Sequence, residues 1–255
     1  MKAHVEPLPP PMRALITRPQ AESEALTAQL AARDIETVIE PLIEITHHAA
    51  VPPDLAGVQA ILCTSANGVR ALARASGERG LPLFAVGDAT AARARAAGFR
   101  RVESAGGDVE DLAYLVARRL KPRAGKLLHI AGSAVAGDLA AALAAEGFAV
   151  ERAVLYDAIP ATALTIRTAQ SIAGGEFDFA LFFSPRTAAI FARLVEDAGV
   201  REGLRPSVAV SISAAADAML ADLPFRDRVI AAAPTQAALI ACIERLAGHT
   251  ARGAA

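Results

Sequence analysis

The sequence predicts an α/β protein: two doubly wound parallel-sheet domains joined by a two-stranded β-ladder. Three observations lead there. Short apolar runs alternate with Ala/Leu/Arg stretches of helical period along the whole chain, the pattern of parallel strands joined by crossover helices. The second half of the chain repeats the first. Two further β-like segments, 39–45 and 153–160, have no helix pattern behind them and lie at equivalent points of the two halves.

The elements follow in order. "RALITR" (13–18) reads as a strand, and Pro19 opens a helix to about residue 33 with Leu26, Leu30 and Ala31 on one face. "ETVIEP" is the second strand. "VQAILCTS" (58–65), "LPLFAVG" (81–87) and "RRVES" (100–104) are three more, the first two each followed by a helix. "DVEDLAYLVARRL" (108–120) is a helix whose acidic start suits the helix dipole. "KLLHIAG" (126–132) then restarts the series.

The repeat is visible residue by residue. "QLAARDIETVIEPLIE" (29–44) aligns with "ALAAEGFAVERAVLYD" (142–157) at an offset of 113. "ILCTSANGVRALAR" (61–74) aligns with "LFFSPRTAAIFARL" (181–194), and "LPLFAVG" with "RPSVAVS" (205–211). The helix at 108–120 has its counterpart in "PTQAALIACIERL" (234–246). Each half is then one flavodoxin-like sheet, and pairing of 39–45 with 153–160 as antiparallel strands makes one domain discontinuous. We expect residues 12–40 plus 157–255 as one domain, 45–153 as an inserted one, 41–44 and 154–156 as linkers, and 1–11 as a proline-rich leader. A sequential division fits the composition equally well.

Bulk properties narrow the function. The chain has 255 residues, 53% of them hydrophobic, and a net charge of −1, so no strong field draws it to nucleic acid or an acidic membrane. No run of about 18 apolar residues marks a membrane span. Cys63 and Cys242 lie in apolar runs without an electropositive niche and read as buried thiols of a reducing, cytoplasmic compartment.

Familiar catalytic signatures are missing from the sequence: no GxGxxG, P-loop, GxSxG elbow or metal-ligand spacing occurs. "AGSAVAG" (131–137) is a weak phosphate-loop mimic. His47 and His48 read as a solvated loop pair, and His4, His129 and His249 are scattered. What remains are polar clusters at the carboxyl ends of strands: Thr64, Ser65 and Asn67; Gly87 and Thr90; Ser184. Each is explained by helix capping alone. Taken together, several helix N-termini with hydroxyls at one edge make an anion-binding surface that needs little net charge. Arg18 and Arg186, at two of these strand ends, are candidates to meet carboxylates. Tyr156 lies in the second of the two linker segments, where its phenol either packs with a wet tip or moves a proton.

These stretches resemble the uroporphyrinogen-III synthases: "RALITRPQAESEALTAQLAARDIETVIEPLIEI", "ILCTSANGVRAL", "LFAVGDATAARARAAGF", "AVLYDAIP", "LFFSPRTAAIF" and "APTQAALIACI". The resemblance runs from about residue 12 to 247. It implies two α/β domains with the active site in the cleft between them. It implies a lyase that closes hydroxymethylbilane to uroporphyrinogen III with inversion of ring D. Loss of water gives an azafulvene cation, then a spirocyclic intermediate. The implied pathways lead to haem, sirohaem, cobalamin or chlorophyll. No cofactor and no metal are implied; the enzyme is expected as a monomer in transient contact with the preceding pathway enzyme.

By motif position Tyr156 matches the family's linker tyrosine, Thr90 its turn threonine, and Ser65 and Ser184 its strand-end hydroxyls. The second copy of the turn departs from the pattern. Ser211 stands where a Gly is usual, and Ala214 or Ala215 where a Thr is, leaving Ser211 or Ser213 as substitutes. Arg186 stands where a small residue is usual. Two rivals remain at this point: a two-lobed small-ligand-binding protein, and a synthase homologue that has lost catalysis.

Overall fold

A computed structural model describes residues 11–48, 52–133 and 138–253, with side chains as far as residue 248. The chain runs β1 (Met12–Ile16), α1 (Gln20–Ala31), β2 (Ile35–Ile39), β3 (Ile43–His47), β4 (Val58–Cys63) and α2 (Ala66–Ala75). It continues through β5 (Leu83–Ala85), α3 (Asp88–Ala96), β6 (Val102–Ser104), α4 (Val109–Arg119), β7 (Lys126–Gly132) and α5 (Leu139–Ala145). Then come β8 (Val150–Pro160), α6 (Ile166–Ala173), β9 (Phe179–Phe182), α7 (Pro185–Asp197), β10 (Val208–Ser211), α8 (Ala214–Ala218), β11 (Asp227–Ile230) and α9 (Gln236–Gly253).

The chain forms two compact units, Met1–Glu44 with Pro160–Ala255, and Ile45–Ile159. Unit 1 holds the sheet β2-β1-β9-β10-β11, with every pair parallel. Unit 2 holds β8-β7-β4-β5-β6, again parallel, with β3 outside β8. Both sheets have the doubly wound order 2-1-3-4-5 when β1 and β7 are taken as first strands. The aligned segments of the sequence therefore occupy equivalent strands: β2 and β8, β9 and β4, β10 and β5.

Parallel strands covered on both faces should be apolar throughout; β9 is, and β4 is apart from Gln59 near its start. In unit 2 alternation separates two cores. Val69, Leu72, Ala91 and Ala94 of α2 and α3 pack on Ile61, Leu128 and Ile130. Leu112, Val116 and Leu143 of α4 and α5 pack on Leu62, Phe84 and Leu127. In unit 1, Leu26 and Leu30 of α1 and Leu239 and Ile243 of α9 cover Ile16, Leu181 and Val210. Elsewhere in that unit Phe191 stacks on Phe225, and Phe182 meets both rings edge-on.

Several expectations change. The segment at 153–160 is no separate linker strand but the second half of β8, which first pairs in parallel with β7. The predicted strand at 100–104 is shorter, Val102–Ser104. The leader at 1–11 lies outside the described residues except for Pro11, as does most of "AGSAVAG", at 134–137.

Two contacts fix the chain where it leaves and re-enters unit 1. The Ala161 N–H donates to the Leu42 carbonyl at 2.9 Å. Glu40, 3% exposed just past β2, accepts from the Thr165 N–H (2.8 Å), the Thr165 hydroxyl (2.7 Å) and the Thr168 hydroxyl (2.6 Å). Three donors satisfy a carboxylate that burial would otherwise penalise. Among the described residues no helix is long and apolar enough to cross a membrane.

Candidate active site

Ligands of doubly wound sheets bind at the carboxyl ends of strands, where the strand order reverses. In unit 2 that point lies between β7 and β4. Ser65 follows β4 and begins α2; its Oγ accepts the Gly68 N–H at 3.1 Å, so the capping role is real. The same Oγ lies 2.8 Å from the Tyr156 phenol oxygen. A hydroxyl has one proton and two lone pairs, so Ser65 serves both partners. Gly68 allows this closeness: a Cβ there would lie 3.1 Å from the Ile130 carbonyl of β7.

Tyr156 reaches Ser65 because β8 is irregular. Its pairing with β7 shifts between Ala131↔Val154 and Gly132↔Tyr156, leaving Leu155 as an extra residue. Ala153 and Leu155 pack with the α2 side of the sheet. Strict alternation would send Tyr156 to the opposite side. The bulge returns it to the α2 side, a typical use of a bulge to re-aim a side chain. There the ring lies over Gly132, where an added Cβ would come within 2.8 Å of it. The Ser133 N–H donates to the Tyr156 carbonyl at 3.0 Å. Arg152 Nη2 donates to the carbonyls of Gly132 (2.5 Å) and Ser133 (2.9 Å), fixing the end of β7.

The neighbouring candidates have local partners. Thr64 Oγ1 lies 3.4 Å from His129 Nε2. Asn67 Oδ1 accepts from Arg70 at 2.6 Å. Gly87 begins α3 at the end of β5, and Thr90 is buried in that helix's first turn. His129, half-way along an apolar strand, is 5% exposed. Burial, with Arg152 adding to it, pushes its pKa down to about 4.

The carboxyl edge of unit 1 is built alike. Ser184 caps α7, accepting the Thr187 N–H at 3.1 Å, and its hydroxyl lies 2.6 Å from the Thr187 hydroxyl. Arg186 is exposed on the first turn of that helix. Arg18, just before α1, already meets a carboxylate, Glu22 of that helix's first turn, at 3.1 Å. It also donates to Gln236 at 2.9 Å and lies over the Phe183 ring. Ser211 is fully buried at the end of β10, and its Oγ has no hydrogen-bond partner among the described residues. Ser213 caps α8.

Two readings are corrected. His47 is not a solvated loop residue; it is half-buried at the end of β3, its ring 6.5 Å from that of Tyr156. His48 pairs with Asp157 at 2.9 Å, which raises its pKa. Cys242 does meet a cation, since Arg245 donates to its Sγ at 3.4 Å. Cys63 is buried and its thiol is pushed up to about 12. His47, His129, Gly132 and Arg152 were not singled out as site residues. A lone polar residue in the apolar run after Lys126 was the available signal for His129. Among the described residues no cluster of His, Cys, Asp or Glu is suited to a metal ion.

Comparison with known proteins gives these features a family. No curated protein matches the chain at a significant level. Among solved structures, a uroporphyrinogen-III synthetase from Helicobacter pylori is 18% identical, with 92% of this chain and 99% of that chain covered and a TM-score of 0.63. A mutant uroporphyrinogen III synthase from Thermus thermophilus is also 18% identical, with 92% and 98% covered and a TM-score of 0.58. At that identity the likeness concerns the fold. The sequence model of the family described as uroporphyrinogen-III synthase HemD matches residues 24–241, most of the chain, so this protein belongs to the uroporphyrinogen-III synthase family.

Proposed function

We propose that this member of the family closes hydroxymethylbilane to uroporphyrinogen III as a carbon–oxygen lyase, and that Tyr156 is its proton donor. The observation that carries the assignment is the 2.8 Å contact between Tyr156 and Ser65 at the carboxyl edge of the unit 2 sheet. The leaving hydroxide needs a proton, and a phenol within reach supplies it as general acid. Water departs and an azafulvene cation remains. Attack on it at the substituted carbon of ring D gives the spirocyclic intermediate, which fragments and recombines with that ring inverted. The final loss of a ring proton restores the donor, so the net change is loss of one water. With the substrate's own pyrrole carbon as the nucleophile, most of the acceleration comes from holding a flexible chain in one geometry.

The proposal extends to Thr64, Ser65, Asn67, Gly87 and Thr90 in unit 2, and to Arg18, Ser184, Arg186, Ser211 and Ser213 in unit 1, as groups for the substrate's carboxylates. The buried Ser211 hydroxyl would have to be uncovered first. The two units are read as two domains, the second inserted into the first, in a cytoplasmic monomer that receives its substrate from the preceding enzyme.

The test is isomer analysis with freshly generated hydroxymethylbilane. The type III product should dominate. Type I alone, as in the spontaneous reaction, would reject the reaction and favour a degenerate homologue. Tyr156→Phe should lower turnover at least tenfold with product binding retained; unchanged turnover removes Tyr156 from the mechanism.

A further inference from the structure

The side of β3 and β8 that carries Tyr156 also gathers cations. The His48 N–H donates to the Leu155 carbonyl at 3.0 Å, and the Ala161 N–H to the Leu42 carbonyl at 2.9 Å. His48 meets Leu155 and Leu42 meets Ala161, so residue numbers rise along one strand as they fall along the other and the strands are antiparallel. They place His47 directly across from Tyr156, at a non-hydrogen-bonded position where side chains come closest. The rings are tilted by 56° with centroids 6.5 Å apart. His47 Nδ1 is buried without a hydrogen-bond partner among the described residues.

Arg70 and Arg74, one turn apart on α2, are close enough to His47 to disfavour its protonation, adding to the effect of burial. Arg74 is exposed and has no ion pair among the described residues. Acidic side chains on the elements around this cluster are absent or committed elsewhere, and Glu78, just past α2, accepts from the Gly80 and Leu81 N–H groups. α2 contains no acidic residue. Asp157 is paired with His48, and Glu151 of β8 with Lys126 at 2.7 Å. Glu44 of β3 alternates to the other face from His47. The buried His47 nitrogen and the Arg74 guanidinium, both on the phenol's side of the sheet, thus lack an anion among the described residues.

We propose that His47, Arg70 and Arg74 form a carboxylate-binding subsite beside Tyr156, which seats one acidic side chain of the substrate and so positions the reacting end against the phenol. This rests on the function proposed above, whose substrate is a polycarboxylate. Guanidinium–carboxylate bonds supply the affinity. His47 takes up a proton from solvent as the anion arrives, because a nearby negative charge favours its charged form.

The test compares kinetics of the full chain. Arg74→Gln, at an exposed position, should raise KM for hydroxymethylbilane about tenfold with kcat within about twofold. His47→Gln should behave similarly, and Arg74→Lys should recover part of the loss. Unchanged KM in both Gln variants overturns the subsite, as does a fall in kcat alone. Formation of type III product by the wild type checks the underlying reaction separately. Should only type I form, titration with propane-1,2,3-tricarboxylate still decides. The His47 imidazole signals in the NMR spectrum should move toward the protonated shift in wild type and not in Arg74→Gln; no movement overturns the proposal.

Discussion

An alanine at Gly132 would set its methyl carbon 2.8 Å from the Tyr156 ring, so the ring must give way. We expect Gly132→Ala to lower turnover at least tenfold while costing about 1–3 kcal/mol in stability, the usual range for overpacking. Urea midpoints and kcat measured side by side check this. Ser65→Ala and Ser184→Ala should each cost about 1 kcal/mol as lost caps, but only Ser65→Ala also removes the hydroxyl that holds the Tyr156 phenol. His129 predicts a pH effect. Its pKa falls to about 4 in the folded chain, so the unfolded chain binds the proton more readily. The stabilisation from keeping it neutral is complete above about pH 6.5 and is lost as the pH falls toward 4, roughly 3 kcal/mol in all. His129→Leu should flatten that part of the stability profile relative to wild type.

Strands and helices were legible because their signals are local. Apolar runs bounded by turns, and caps such as Ser65, Asp108 and Ser184, are written within a few residues of where they act. The bulge in β8 was not legible. It arises from how residues 153–156 meet 130–132 of another strand, and alternation read along β8 alone turns Tyr156 the wrong way. His47 was missed for the same reason: pairing of the β-like segments was expected, but its register was not, and one residue decides which side chains face each other. The Glu40 contact to α6 was likewise invisible, since 125 residues separate Glu40 from Thr165. Glu40→Ala should destabilise by about 2–4 kcal/mol because three donors lose their acceptor. Thermal unfolding measures it, and a change under about 0.5 kcal/mol would show that water replaces the carboxylate at little cost.

At the scale of the molecule, the repeat in the sequence foretold two sheets of one topology, and strand order shows the second copy to be permuted, entering at its third strand. The proposed insertion can be tested directly. Residues 45–159 form a continuous chain with a complete sheet and two cores, and should unfold cooperatively when expressed alone. The bond between Ala161 and Leu42 means that the remaining ends lie side by side, so joining Glu44 to Pro160 through a short turn should yield a folded unit 1. Failure of both pieces would reject the inserted arrangement. The pairing of β1 with β9 also imposes a schedule on the ribosome. β1 emerges well before its partner, which follows some 160 residues later, on the order of ten seconds at ordinary elongation rates. Meanwhile the whole of 45–159 is translated and free to fold. The nascent β1 must stay harmless through that interval, beside α1 and β2, with an edge open that later lies in the middle of a sheet.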